Sequence, residues 1–308
     1  MKKLIALLAA IVMLLATLSA MAETPDLTGY TMDELLTLRQ QVDAAMLNLT
    51  RSVDRSDASL EGLIWVSNGS EVRINAYEGT ATEVVVPAEI DGLPVTMLQT
   101  GVFRDCRTVT SITLPETITA IPDEAFYNCS SLTSVNIPST VTSIGRWAFY
   151  GCNRLQTLTL PEGLTTVSSA AFQRAEGLNG VLVLPSTLTG LSGYTFSRCD
   201  KLTGVVIQSD LALGNGDFST SSLEMLYIRE GAKVSFTSKS IFESGLRVVV
   251  IPASVTNIAE GVFEQCNRVT VVTPAGSYAE QYCKDNWIVC NTKDYDQYVA
   301  EYEALLAQ

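Results

Sequence analysis

The sequence predicts an α/β solenoid of about eight coils of ~23 residues, with short strands stacked into a parallel sheet and a helix at each end. Two observations carry this. Eight of the nine phenylalanines form a ladder, Phe103, Phe126, Phe149, Phe172, Phe196, Phe218, Phe242 and Phe263, at intervals of 23, 23, 23, 24, 22, 24 and 21 residues. Most are followed by a short alternating run of the type Leu132-Thr133-Ser134-Val135-Asn136-Ile137-Pro138. Along a strand successive side chains take opposite faces, so Leu132, Val135 and Ile137 point inward and the residues between them outward. One coil cannot bury that face alone, so coils stack with strands about 4.8 Å apart.

Each coil position has a physical role. The ladder Phe fills the interior opposite the strand. Three residues later comes a small residue, Cys106, Cys129, Cys152, Ala175, Cys199, Ser221, Gly245 or Cys266, which lets the backbone turn close beneath its neighbour. Five residues before most of the phenylalanines sits an aliphatic: Leu98, Ile121, Ile144, Val167, Leu191, Leu213 and Ile258. Pro115, Pro138, Pro161, Pro185 and Pro252 end their strands, because proline donates nothing to a ladder. The period lies in the leucine-rich-repeat range of 20–29 residues and is too short for the helical crossovers of a doubly wound fold.

The flanks read separately. Lys2 and Lys3, the apolar run Leu4 to Leu18 and the small-x-small sequence Ala20-Met21-Ala22 mark residues 1–22 as an export signal cleaved before Glu23. The run is short of the ~20 residues a membrane span needs, so no stable span is expected after cleavage. Within residues 23–56, Thr31-Met32-Asp33-Glu34 is a capping box. Leu35, Leu38, Val42, Met46, Leu49 and Val53 follow at helical spacing, giving an amphipathic helix over 31–54 that caps the solenoid or pairs with another chain. Residues 57–290 form the solenoid with its caps, opened by a strand pair between Trp65 and Tyr77. Residues 291–308 form an acidic tail, helical from Asp294 to Leu306.

Composition excludes whole classes of chemistry. There is no histidine, which removes Ser-His-Asp and Cys-His catalysis, two-His zinc sites and histidine pH switches. Twenty basic against 33 acidic residues give a net charge of −13, so the basic footprint of a nucleic-acid binder is missing. The cysteines lack zinc-type pairing, and neither metal nor cofactor is expected. Ladder cysteines read as small core residues, since Ala175, Ser221 and Gly245 hold the same position. Asp210 to Asp217 carries carboxylates and glycines without the spacing of an EF-hand loop, and reads as an irregular turn.

The outward rows of the sheet are more informative. One row is Val85, Thr113, Asn136, Thr159, Val183, Val206, Tyr227 and Val250; the other is Ser111, Ser134, Thr157, Val181, Gly204, Met225 and Val248. The first half is small and hydroxylated, and the second half turns apolar. An exposed patch of Val183, Val206, Met225, Tyr227 and Val250 flanked by Glu224 and Arg247 is what a binding surface looks like. The competing reading is that β-branched residues sit there because they suit strands.

The consensus readable from Leu132 to Cys152, Leu-Thr-Ser-Val-x-Ile-Pro-x-x-Val-Thr-x-Ile-x-x-x-Ala-Phe-x-x-Cys, resembles the BspA-type leucine-rich repeats of bacterial surface proteins. The opening unit, Val84-Val85-Val86-Pro87 followed by Asp91-Gly92-Leu93-Pro94-Val95, and the closing helix of Gly276 to Asn286 are similar to that family's ends. The resemblance covers about residues 70–290. It implies surface display and adhesion or host-protein binding in some members, and carries no catalytic motif. Cys283 and Cys290 stand where the family's closing unit usually has an alanine and a large apolar residue. Two departures in an exported chain suggest a disulfide pinning the C-terminal cap, the alternative being two independent buried thiols. The function expected is an exported, non-enzymatic adhesion protein, secreted or at the cell surface, that binds a protein or glycan on its concave sheet. The alternative is a scaffold that oligomerises through residues 31–54.

Overall fold

The computed structural model describes residues 60–306 apart from 238 and 267; the expected export signal over 1–22 and the expected helix over 31–54 lie outside the described residues. Leu63–Ser67 and Val72–Tyr77 pair antiparallel across a turn in which Asn68 Oδ1 accepts from the backbone of Ser70 and Glu71. The second strand then pairs in parallel with Leu93–Leu98, and the chain winds into a parallel-sheet solenoid of about nine turns.

Two walls run along it. One is a parallel sheet of two-residue strands, from Ala120–Ile121 through Ser143–Ile144, Thr166–Val167, Gly190–Leu191 and Ala212–Leu213 to Ser235–Phe236. The other holds the longer strands: Glu83–Val85, Ser111–Thr113 and Ser134–Asn136 in one sheet, then Asn179–Val183, Lys201–Ile207, Met225–Ile228, Val248–Val250, Thr270–Val272 and Val289–Asn291 in a second. The coil between these sheets, over 155–161, forms no strand, so this wall is interrupted where the sequence suggests continuity.

Between the walls runs the phenylalanine stack. Phe103, Phe126, Phe149, Phe172, Phe196 and Phe218 are fully buried, with successive ring centroids 5.5, 4.8, 5.0, 5.2 and 5.6 Å apart. These are the spacings of stacked strands, so each ring marks one coil. Tyr77 opens the column at 5.5 Å from Phe103.

The ladder needs one correction. Phe242 is half-buried while Ile241 is fully buried, so Ile241 holds the column position, and the intervals 24 and 21 become 23 and 22. The small position of that coil shifts with it to the buried Ser244, whose hydroxyl lies 3.5 Å from Cys266 Sγ. Phe236, outside the ladder, takes the aliphatic position and pairs in register with Leu213.

The ladder cysteines do more than fill space. Cys129 Sγ donates to the Phe103 carbonyl at 3.0 Å, Cys152 Sγ to Phe126 at 3.2 Å and Cys199 Sγ to Phe172 at 3.3 Å. Each thiol ties its turn to the ladder residue of an earlier coil. Burial pushes all three thiols well above their ordinary pKa, which keeps the proton each one donates.

Two helices follow. α1, Tyr278–Asp285, has Ser277 as its N-cap, and Glu280 reaches back to the Gly276 backbone N–H, a reciprocal capping pair. α2, Tyr295–Leu306, starts beyond a turn in which Asn291 Oδ1 accepts from Lys293 and Asp294.

Candidate functional site

The register of the longer strands assembles the two outward rows. Val181, Gly204, Met225, Val248, Thr270 and Val289 lie side by side, as do Val183, Val206, Tyr227, Val250, Val272 and Asn291. The strands therefore do bring the sequence-selected residues together on one face. Val205, Leu226, Val249 and Val271 point the other way into the main core.

α2 lies on that face. Tyr295, Tyr298, Val299, Tyr302 and Leu306 fall at i, i+3, i+4, i+7 and i+11, one stripe of a helix, and pack against Val206, Tyr227, Val250 and Val272 as a cluster separate from the main core. The Tyr302 ring stacks on Tyr227 with centroids 4.6 Å apart. Tyr227 Oη donates to Glu303 Oε1 at 3.2 Å, Arg229 Nε lies 3.4 Å from the same carboxylate, and the Tyr295 hydroxyl donates to Glu230. Burial beneath and within the helix raises the pKa of Tyr227 and Tyr295, and that of Tyr302 to about 12. All three are therefore neutral phenols at ordinary pH.

This corrects the exposed patch. Val206, Tyr227 and Val250 are 0% exposed, because an amphipathic helix covers the face that strand alternation assigns to solvent. Met225 is half-buried beside the helix. Glu224 and Arg247 are exposed and lie 3.9 Å apart. Val183 stays 38% exposed and its neighbour Val181 46%, where the apolar rows emerge from under α2. Toward the other end the face is open, with Val85 60% exposed and Thr113, Ser134, Asn136, Thr157 and Thr159 also exposed. The Asn136 amide is already engaged, accepting from Leu114 N–H at 2.6 Å and donating to Leu114 O at 3.0 Å.

A second surface cluster follows the repeat, since Arg104, Tyr127 and Tyr150 each stand one residue after a ladder phenylalanine. Tyr127 and Tyr150 stack at 5.0 Å, Arg104 lies 4.5 Å over Tyr127, and Arg146 lies 4.2 Å over Trp147. Its ring faces are met by its own arginines and its own rings, so it reads as a cross-coil brace.

Cys283 is buried and Cys290 half-buried, and the two side chains interact as free thiols. Burial raises the Cys283 thiol to about 12. Among the described residues no group of three or more Cys, Asp or Glu side chains is placed to hold a metal ion. Among the same residues no helix is long and apolar enough to cross a membrane.

These features have relatives. The family model of the BspA type leucine rich repeat region matches in six copies, over residues 96–224 and 180–283. A leucine rich cell surface protein from Faecalibacterium prausnitzii A2-165 is 28% identical over 71% of this chain, with a TM-score of 0.51; this chain spans 54% of that protein's length. A leucine rich repeat protein from T. pallidum (23% identity, TM-score 0.56, 78% of this chain and 99% of that one) shares the fold. So does a leucine-rich repeat protein from Bacteroides ovatus (21% identity, TM-score 0.54, 75% of this chain and 66% of that one). No curated protein matches the chain. With a repeat of this length, its cross-coil thiols and a family match over more than half the sequence, the chain belongs to the BspA-type leucine-rich repeat proteins.

Proposed function

We propose that this is an exported, non-enzymatic binding protein of a bacterial cell surface, which holds a protein or glycan on the open part of its longer-strand face. The observation that carries the reading is the pair Val181 and Val183, whose apolar surface faces water where the rows leave the shelter of α2. The hydroxyl-bearing stretch Thr113 to Thr159 continues that face with the small polar side chains a ligand's hydrogen bonds require. Export rests on the charged, apolar and small-residue pattern of residues 1–22. Surface placement is supported by the likeness to the F. prausnitzii cell surface protein.

Purified residues 23–308 should capture one component of a panel of extracellular-matrix proteins and surface glycans with saturation at micromolar concentration. A Val181→Asp/Val183→Asp variant should bind at least ~10-fold more weakly, as judged by surface plasmon resonance. Equal binding by the variant, or no saturable ligand in the panel, overturns the reading.

In an oxidising compartment the Cys283 and Cys290 thiols should close. The pair loses two protons and two electrons to the disulfide of a thiol oxidoreductase, which leaves as a dithiol. The bond joins α1 to the strand Val289–Asn291 across a short loop and adds about 2 kcal/mol. Intact mass 2 Da below the reduced chain (~2 H) and a melting point that falls on adding dithiothreitol are the expected results. An exported sample that keeps both thiols, by mass and thiol titration, contradicts them.

A further inference from the structure

We infer that the strip Val206–Tyr227–Val250–Val272 is a helix-accepting groove whose external partner is an acidic amphipathic helix of another protein, and that α2 occupies the groove until displaced. The inference rests on the reading of this sheet face as the binding surface, and names the partner of its covered half.

The chain's own helix defines what fits. The groove takes a stripe of Tyr295, Tyr298, Val299 and Tyr302, the spacing by which a helix is read in an apolar groove. Its charged rim is selective: Arg229 meets the Glu303 carboxylate, which also accepts the Tyr227 hydroxyl. Glu230 on the same rim accepts a hydrogen bond from the Tyr295 hydroxyl. An acid facing Arg229 and a phenol facing Glu230 are therefore the polar features the groove matches. A glycan is a poor match, because three of the four groove side chains are valines and carry no hydrogen-bonding group.

α2 is also built to leave. Its cluster is separate from the solenoid core, which is closed on the opposite side of the same strands by Val205, Leu226, Val249 and Val271. It follows the strand Val289–Asn291 after only Thr292, Lys293 and Asp294, so it can lift without unwinding a coil. A tether this short sets an effective concentration in the millimolar range. An external helix must outcompete that, and its apparent affinity for the closed chain falls accordingly.

The test uses the whole folded chain. A protease recognition sequence inserted between Thr292 and Lys293 allows cutting after folding, and the freed helix is removed by size exclusion. The probe is a fluorescent peptide of residues 293–308. The stripped protein should bind it saturably and the uncut chain at least ~30-fold more weakly. A Tyr302→Ala peptide should lose at least ~10-fold and a Glu303→Lys peptide ~5-fold or more. A designed acidic helix of unrelated sequence, with tyrosines at the spacing of Tyr295, Tyr298 and Tyr302, should bind within ~10-fold of the natural peptide.

An uncut Tyr295→Ala/Tyr302→Ala chain, loosened in place, should also accept the natural peptide, and it decides the matter if the cut chain unfolds. Three results overturn the inference: no peptide binding by a stripped or loosened chain with unchanged circular dichroism, equal binding by the uncut wild type, or indifference to Glu303→Lys. Matrix-ligand capture sensitive to Val181→Asp/Val183→Asp but without peptide exchange sinks the groove alone. Peptide exchange without any matrix ligand sinks the surface-binding reading and leaves the groove standing.

Discussion

Phe149→Ala should lower the unfolding free energy by about 3–5 kcal/mol. The side chain is fully buried and stacked on both sides, 4.8 Å from Phe126 and 5.0 Å from Phe172. A void left by truncation closes only if neighbours move in. Here they cannot move far: backbone bonds hold Phe149 N–H to Ala171 O at 2.7 Å and Phe126 N–H to Ala148 O at 2.7 Å, fixing the coil spacing on either side. The cost therefore includes the full cavity as well as the lost transfer energy of the ring. Phe242→Ala supplies the control. That ring is half-buried, with Lys239 5.9 Å from its centroid, and its loss should cost about 1 kcal/mol, whereas Ile241→Ala should cost about 2–4 kcal/mol. Urea unfolding of the three variants reads the order directly. Phe242→Ala matching Phe149→Ala would show that the column passes through residue 242 after all.

That comparison also shows how much of the fold was legible. A 23-residue period with one large aromatic per coil leaves little freedom, and six consecutive rings stand where the ladder places them. The reading slipped where Ile241 and Phe242 are adjacent, since either side chain can fill an apolar slot. The short interval of 21 was the available signal, since 24 also separates the stacked Phe172 and Phe196, and the two intervals become 23 and 22 once Ile241 is used. The site was legible to a different depth. Strand alternation identifies the row Val183, Val206, Tyr227 and Val250 as one face, but alternation says only which side a residue takes. What covers that side depends on a helix some 70 residues further along the chain. The tyrosine stripe of α2 was visible by its spacing, yet nothing local pairs it with Tyr227. A consequence is that Tyr227→Ala disturbs two things together, the row itself and the helix over it. The exposed pair Val181 and Val183 is the cleaner probe of the open face.

The other large effect is expected at Asp217, in a turn where a carboxylate has no obvious business. Asp217 is 0% exposed; one oxygen accepts from Thr195 N–H at 3.2 Å and the other from Gly214 N–H at 2.5 Å. Gly214 lies so close to the preceding coil that an added Cβ would stand 2.5 Å from Gly193 N, leaving no room on that side for a replacement partner. Asp217→Ala strands both backbone donors, and at about 1–3 kcal/mol for each unsatisfied group the expected loss is roughly 2–6 kcal/mol. The pH dependence separates charge from geometry. Burial raises the pKa of this carboxyl above its ordinary 3.8, outweighing the backbone bonds that lower it. The folded state then holds the proton more tightly than the unfolded chain, so stability from this residue is fully present below pH 3.8 and is lost as pH rises through the folded pKa. Asp217→Asn keeps the shape and one acceptor but never ionises. Its deficit relative to wild type should be about 1–2 kcal/mol near pH 3 and should shrink toward pH 7, where the wild type carries the cost of a buried charge. A deficit that instead grows with pH would mean that the Thr195 and Gly214 amides stabilise the carboxylate more than burial penalises it, and that Asp217 anchors this turn as an anion.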